Sequence, residues 1–126
     1  MSPSKPIPFF VAAAIMVVGC AHATPSELVA ARSAYEQAAT GPAQEYTPAE
    51  LHVAKKSLAR AEALFEDKGD TSAVRDQAYI ALRKAELAAT LGRVAVLKRQ
   101  AAAATQEGRQ REEQEAARTR AELKAT

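Results

Sequence analysis

Residues 47–88 read TPAELHVAKKSLARAEALFEDKGDTSAVRDQAYIALRKAELA, and this stretch decides the fold. Thr47-Pro48-Ala49-Glu50 is a capping box with proline at the first helical position, which predicts a helix from Pro48 to about Asp67. Gly69 ends that helix, and either Asp70 or Thr71 caps the next one. Because the connection is so short, the two helices must lie side by side as an antiparallel hairpin.

Apolar residues recur three and four positions apart on both predicted helices, which places them on one face of each helix. They are Leu51, Ala54, Leu58, Ala61 and Phe65 on the first helix, and Val74, Ala78, Ala81 or Leu82, Ala85 and Ala88 on the second. This is the spacing of helices packed in coiled-coil-like fashion. Since many of these residues are alanine, we expect the two backbones to approach each other closely.

A further helix is predicted upstream of this hairpin. Thr24-Pro25-Ser26-Glu27 repeats the capping box, so the helix should run from Pro25 to about Ala39 and end at Gly41-Pro42. Its apolar face carries Leu28, Ala31, Tyr35 and Ala38, and we expect Tyr35 and also Tyr79 of the last helix to supply core area. The sequence therefore predicts an all-α protein, a three-helix antiparallel hairpin bundle over residues 25–104.

The third predicted helix is longer than its two neighbours. Leu87, Leu91, Val94 and Leu97 continue an apolar line toward Ala101, beyond the reach of the other helices. Exposed apolar stripes usually mark a contact surface, so these four leucine and valine residues are the candidate interaction site. The hypothesis is a homo-oligomer, or a different protein partner, bound through the third helix.

Residues 105–126 form a charged tail in which acidic and basic residues are interspersed. Glu107 and Arg111, like Arg118 and Glu122, are spaced for ion pairs one helical turn apart. The tail is either a solvated helical extension or a disordered segment. If the helix runs from Thr71 through Glu122, it is about 78 Å long.

The N-terminus carries an apolar run that ends at the single cysteine. Lys5 precedes the run, Ile7 to Val18 form it, and Gly19-Cys20 close it. The run spans only about 20 Å as a helix, short of the roughly 30 Å of a bilayer core. An uncleaved anchor is therefore the weaker alternative to an export signal that is removed.

The segment Val17-Val18-Gly19-Cys20 resembles the lipobox of bacterial lipoproteins. That resemblance implies cleavage between Gly19 and Cys20, removal of residues 1–19 as a signal peptide, and lipid on Cys20. Residues 20–24 would then be a lipidated tether that binds the protein to the membrane. Because Ala21 is not the aspartate associated with inner-membrane retention, the resemblance implies the periplasmic face of the outer membrane.

Composition excludes several classes of function. The formal net charge is only +2 and both signs are interspersed, so the chain lacks the basic surface that nucleic-acid binding requires. We expect His22 to be an ordinary linker residue of the tether beside the lipidated Cys20, and His52 has no thiol or carboxylate at metal-ligand spacing. Because no nucleophile pattern or Gly-rich phosphate loop occurs either, we expect a protein without catalytic activity, cofactor or metal.

Four runs carry a resemblance to a known family: Ala54-Lys55-Lys56-Ser57-Leu58-Ala59-Arg60-Ala61-Glu62-Ala63, Gly69-Asp70, Ala78-Tyr79-Ile80-Ala81 and Ala85-Glu86-Leu87-Ala88. They resemble the domain of unknown function 4398 family over roughly Ser26 to Arg93. That family occurs in bacterial envelope lipoproteins, often beside a peptidoglycan-binding OmpA-like domain, and has no established catalytic residues.

The resemblance and the lipobox together imply a lipid-anchored periplasmic structural or adaptor protein close to the cell wall. The alternative is a small binding or regulatory subunit of an envelope transport or assembly complex that acts through its bundle face. In the adaptor, partner contacts depend on the tail after Ala104. In the subunit they depend on the apolar line through Leu87 and Val94.

Overall fold

The computed structural model describes residues 23–126, and the predicted signal peptide, Gly19 and Cys20 lie outside the described residues. Over this range every regular element is helical, which confirms the all-α class. The helices are α1 (Ser26–Thr40), α2 (Ala43–Tyr46), α3 (Pro48–Lys68) and α4 (Ser72–Ala125). No helix in the described range has the combination of length and apolar composition needed to cross a membrane.

The three long helices run up, down and up. The Thr47 hydroxyl donates to the Ala88 carbonyl at 3.2 Å, whereas the Gln77 amide donates to the Ser57 hydroxyl at 3.4 Å. Residue numbers thus rise on α3 as they fall on α4, so these helices are antiparallel. α1 is parallel to α4, because the start of α1 shares a core cluster with Ala78 while its end shares one with Ala88.

The core is thin and built mainly from alanine, as the apolar spacing predicts. Its buried members are Leu28, Ala31 and Ala38 of α1, Ala54, Leu58 and Ala61 of α3, and Val74, Ala78, Ala81, Ala85 and Ala88 of α4. Among residues 23–126, the largest side chains that are fully buried are those of Leu28 and Val74. Tyr35, Phe65 and Leu82 are partly buried and pack around this core, so Ala81 rather than Leu82 faces inward. Small side chains bring the helix backbones close together.

The prediction for Tyr79 is wrong, because its side chain is 56 % exposed. The neighbouring residue Ala78 takes the buried position on α4, and one residue further turns the side chain by about 100°. Tyr79 therefore lies beside the core stripe, on the exposed surface of α4.

The short helix α2 is the fourth helix, which the three-helix prediction did not contain. Pro42 has helical dihedral angles, φ −58° and ψ −20°, so the residue pair that ends α1 also begins α2. Ala43 is fully buried in a cluster with Ala38 and Ala88. The connection between α1 and α3 is thus a packed element on α4.

The two expected capping boxes do not form. The residue before α1 is Pro25, which provides no side-chain cap. The Thr47 hydroxyl lies within hydrogen-bond distance of two carbonyl oxygens, those of Ala88 at 3.2 Å and Ala43 at 3.4 Å, and so does not cap α3. Thr47 therefore joins α2 to α4, because its hydroxyl has two carbonyl acceptors within reach. At α4 the Thr71 hydroxyl accepts from the Val74 amide at 3.4 Å, so Thr71 is the cap.

Helix α4 has 54 residues and is about 81 Å long, against 21 residues for α3. Packing against the other helices ends near Arg99, whose guanidinium lies 4.8 Å from the centre of the Tyr46 ring. Residues 100–125, called the extension below, continue the helix for about 40 Å. All of their side chains are exposed.

Candidate functional site

The four predicted interaction residues lie on α4, and three of them are exposed. Leu87 is 54 % exposed, Val94 38 % and Leu97 62 %, while Leu91 is half-buried. Leu87 and Val94 each follow a buried residue by two positions, Ala85 and Gly92, which turns their side chains by about 200°. The side chains of Leu87 and Val94 therefore lie on the side of α4 that faces away from the bundle core.

Next to this face a groove runs between α1 and α4, with a volume of about 410 Å³. Its α1 wall carries Ala34 and Gln37, and its α4 wall carries Arg83, Glu86, Leu87 and Arg93. The α4 wall thus alternates positive, negative and positive charge around one exposed leucine. Arg83 forms an ion pair with Glu86, and both side chains remain about half exposed.

The exposed face follows a heptad pattern that continues into the extension. Positions alternately four and three residues apart form what we call the seam: Ile80, Arg83, Leu87, Thr90, Val94, Leu97, Ala101, Ala104 and Gly108. After Gly108 the same spacing reaches Arg111 and Glu115. This spacing is typical of one helix of a coiled coil. The seam has small residues in its middle and charged residues toward its C-terminal end. Leu91, the fourth predicted residue, flanks the seam.

Gly92 lies at a close contact between α4 and α2. A Cβ atom there would lie 2.6 Å from the Ala43 nitrogen, 2.8 Å from the Ala43 Cα and 2.9 Å from the Pro42 carbonyl carbon. These are backbone atoms, so α2 can approach α4 only at a glycine. The available signal was the glycine itself, which costs about 1 kcal/mol in a helix and so requires a reason.

Among the described residues, the groups with shifted pKa values are Asp70 and Arg75, which lie at the α3–α4 turn. The Arg75 guanidinium donates two hydrogen bonds of 2.8 Å to the Asp70 carboxylate. These bonds, followed by the attraction between the charges, hold the pKa of Asp70 below its ordinary value and raise that of Arg75. Both groups are exposed and far from the groove, so this pair closes the turn and takes no part in the candidate site.

The described residues hold no group of three His, Cys, Asp or Glu side chains able to bind a metal ion. His52 is exposed on α3. A second groove, of about 300 Å³, lies between α3 and α4 and is lined partly by Lys56, Arg60 and Lys84. The candidate site is therefore a surface of α4 with its groove.

Comparison with known families matches residues 26–104 to the domain of unknown function DUF4398. The match covers more than half of the 126 residues and includes α1, α2, α3 and the groove, together with α4 as far as Ala104. No curated protein and no solved structure matches the chain significantly. The chain belongs to the DUF4398 family.

Proposed function

We propose that the protein is a lipid-anchored structural or adaptor protein of the bacterial cell envelope, without catalytic activity. In this proposal Cys20 carries the lipid at the periplasmic face of the outer membrane, and residues 1–19 are removed. An apolar run that ends in Gly19-Cys20 supports the anchor. One acyl chain binds a membrane only marginally, so the two or three chains of a lipoprotein would be needed to hold it there.

The extension is the observation that carries the adaptor proposal. It projects about 40 Å beyond the last bundle contact at Arg99, and every one of its side chains is open to another molecule. A bundle that needed only internal stability would gain nothing from such a helix. The extension therefore serves as the contact element, with the antiparallel three-helix hairpin and α2 as its base.

The direction of α4 supports the same proposal. The tether leads into the start of α1, and α1 is parallel to α4. The extension consequently begins at the end of the bundle that is remote from the tether. A single anchored copy could then reach away from the membrane toward the cell wall or a periplasmic partner.

The anchor is tested by mass spectrometry of the envelope-bound full chain. We expect an N-terminal peptide that begins at Cys20 and carries acyl chains. Cys20→Ala should abolish acylation and leave either the uncleaved precursor or a periplasmic form. Any other N-terminus on the wild-type protein would contradict the anchor.

The contact element is tested by photo-crosslinking in intact cells. A probe at Gln110, in the extension, is compared with a probe at Lys55, an exposed position of α3. We expect specific products from Gln110 and few from Lys55. The reverse pattern would contradict the adaptor proposal.

The groove favours a second candidate, a binding or regulatory subunit of an envelope transport or assembly complex. Leu87 is more than half exposed on the wall of the groove, which suits a helix of another protein. In this candidate a probe at Leu87 crosslinks to the complex while a probe at Gln110 does not.

A further inference from the structure

We propose that two copies of the chain pair antiparallel through α4, so that the extension of each copy lies in the α1–α4 groove of the other. This inference rests on the proposed function in one respect, that α4 is the contact element. It adds the identity of a partner, a second copy of this chain, and a single register. Four observations on α4 carry it: the seam, Gly108, the charge pattern and the groove.

The seam provides the contact layers. In an antiparallel pair, each seam position that is followed by a spacing of three residues faces a partner position that is followed by a spacing of four. One alignment of this kind places Leu97 opposite the partner's Ala101 and Val94 opposite the partner's Ala104. Large exposed side chains then meet small ones, which lets the helices approach closely. The pair is two-fold symmetric, so each of these layers occurs twice.

Gly108 is unexplained within one copy. A Cβ added there would meet no described atom within 4 Å, unlike the Cβ added at Gly92. Glycine at this position destabilises the helix by about 1 kcal/mol relative to alanine, and no packing contact in the single chain requires it. In the proposed register the partner's Gly108 lies opposite Thr90, on the groove side of α4. There an incoming helix meets both α1 and α4, and the missing side chain allows that approach.

The charges are complementary in the same register. Arg83 lies opposite the partner's Glu115, and Arg93 flanks the seam on the same side as the partner's Glu107. On the other flank Lys84 lies near the partner's Glu112. Helix α4 thus offers a positive side chain opposite each of Glu107, Glu112 and Glu115 of the partner. Arg83 and Arg93 lie on the wall of the α1–α4 groove, and Lys84 lies on that of the α3–α4 groove.

Between these pairs the partner's Arg111 lies opposite Leu87 and beside Glu86 of the groove wall. Two like-charge contacts remain. Lys98 meets its own copy near the two-fold axis, where both long side chains reach solvent, and Asp76 meets the partner's Glu122 near the ends. The favourable contacts outnumber them. Those of Arg83, Glu86 and Arg93 lie on the wall of the α1–α4 groove, whereas that of Lys84 lies on the other flank of α4.

Other alignments lose this complementarity. A parallel pair would oppose Arg83, Arg111 and Glu115 each to its own copy, and like charges in a seam disfavour pairing. In an antiparallel pair, displacing one helix by seven residues in one direction removes the opposite-charge contacts and sets Glu86 against the partner's Glu107. A displacement in the other direction also removes these contacts and creates only one new opposite-charge contact, between Arg83 and the partner's Glu122.

The bundle leaves room for the partner. Helix α2 packs on the side of α4 that carries Ala88 and Gly92, away from Leu87 and Val94. The incoming extension therefore becomes the fourth helix of a local four-helix bundle with α1, α3 and α4. The start of α1 in each copy then lies about 70 Å from that in the other. With both lipids in one leaflet, α4 would lie along the membrane surface.

Disulfide trapping in cells that express the full chain tests the register. Val94→Cys and Ala104→Cys are introduced together in one copy. Within one helix these positions are about 15 Å apart, beyond the 4.4–6.8 Å between Cα atoms that a disulfide spans, so a disulfide has to join two copies. Both residues are exposed, which makes the substitutions compatible with folding.

The matched control replaces Ala104→Cys by Ala103→Cys, which turns the second thiol about 100° away from the seam. We expect about fivefold more disulfide dimer from the 94/104 pair than from the 94/103 pair, since only the first pair aligns thiols within bonding distance. Wild-type protein, with Cys20 alone, gives the background. Equal yields from the two pairs would overturn the proposal. A higher yield from Val94→Cys alone would also overturn it, because that result would indicate a parallel pair.

This outcome is separate from that of the adaptor proposal. If the 94/104 pair fails to crosslink while the Gln110 probe still captures a different protein, self-pairing is wrong and the adaptor remains. If the Gln110 probe captures nothing and the disulfide forms, self-pairing stands and the adaptor proposal fails.

Discussion

Two glycines on one helix show how the same residue serves different purposes at the scale of single side chains. Gly92 is buried where the backbone of Ala43 and Pro42 leaves no space for a Cβ atom, and Gly108 lies on the extension with open space around it. Helix propensity disfavours both glycines equally. The contacts around each position therefore decide what a substitution does.

Gly92→Ala should destabilise the bundle by about 1–3 kcal/mol, because overpacking against α2 backbone outweighs the gain in helix propensity. Urea unfolding followed by circular dichroism measures the change. Gly108→Ala is the matched control and should stabilise the helix of a single copy by up to about 1 kcal/mol. Equal stabilisation by both substitutions would mean that α2 does not approach α4 this closely.

At the scale of helices, the bounds of α1, α3 and the start of α4 follow from local signals. Proline at the first turn of α3 and glycine after its end place the predicted and observed ends within about a residue of each other. The core stripe was likewise predictable, since a period of three and four residues selects one helix face. The hydrogen bond of the Thr47 hydroxyl was not predictable, because its acceptor, the Ala88 carbonyl, is distant in the sequence.

The core stripe is tested by Leu58→Asp and Ala81→Asp. Leu58 is 8 % exposed and Ala81 1 %, so either change buries a carboxylate without a partner and should cost several kcal/mol. We expect loss of helicity and of the cooperative thermal transition. Ala59→Asp, at an exposed neighbouring position of α3, is the control and should leave the melting temperature nearly unchanged. Normal melting of both core variants would refute the core assignment.

At the scale of the whole molecule, one surface of α4 runs continuously from the bundle into the extension. The seam begins beside the bundle at Ile80 and ends in the extension, so its apolar part and its charged part belong to one surface. A single copy leaves both parts exposed. Antiparallel pairing brings the charged end of one copy to the groove of the other.

Charge reversal tests this pairing in solution. Glu107→Arg with Glu115→Arg should weaken dimerisation about tenfold, because each arginine then faces Arg93 or Arg83 of the partner. Adding Arg83→Glu and Arg93→Glu should restore the wild-type affinity. Sedimentation equilibrium measures the dissociation constants, and circular dichroism controls for helicity. Weakening without restoration would indicate damage to the helix and contradict the proposed register.

The sequence by itself determined the all-α class, the three long helices and the residues of their core face. These features depend on stop signals, caps and periodicity, which are local along the chain. It also indicated the exposed line at Leu87, Val94 and Leu97. It did not predict α2 in the connection after α1, since α2 is a single turn of four residues and has no period to detect.

The tertiary structure alone decided how the elements meet. It showed that α1 is parallel to α4, that Gly92 is required by α2, that Thr47 bonds across to α4, and that Tyr79 is exposed. It also placed Ala34 of α1 beside Arg83 and Arg93 as the walls of one groove. Each of these facts depends on which residues of different helices come within contact distance. That distance is set by the packing of the whole bundle and cannot be read from any one segment.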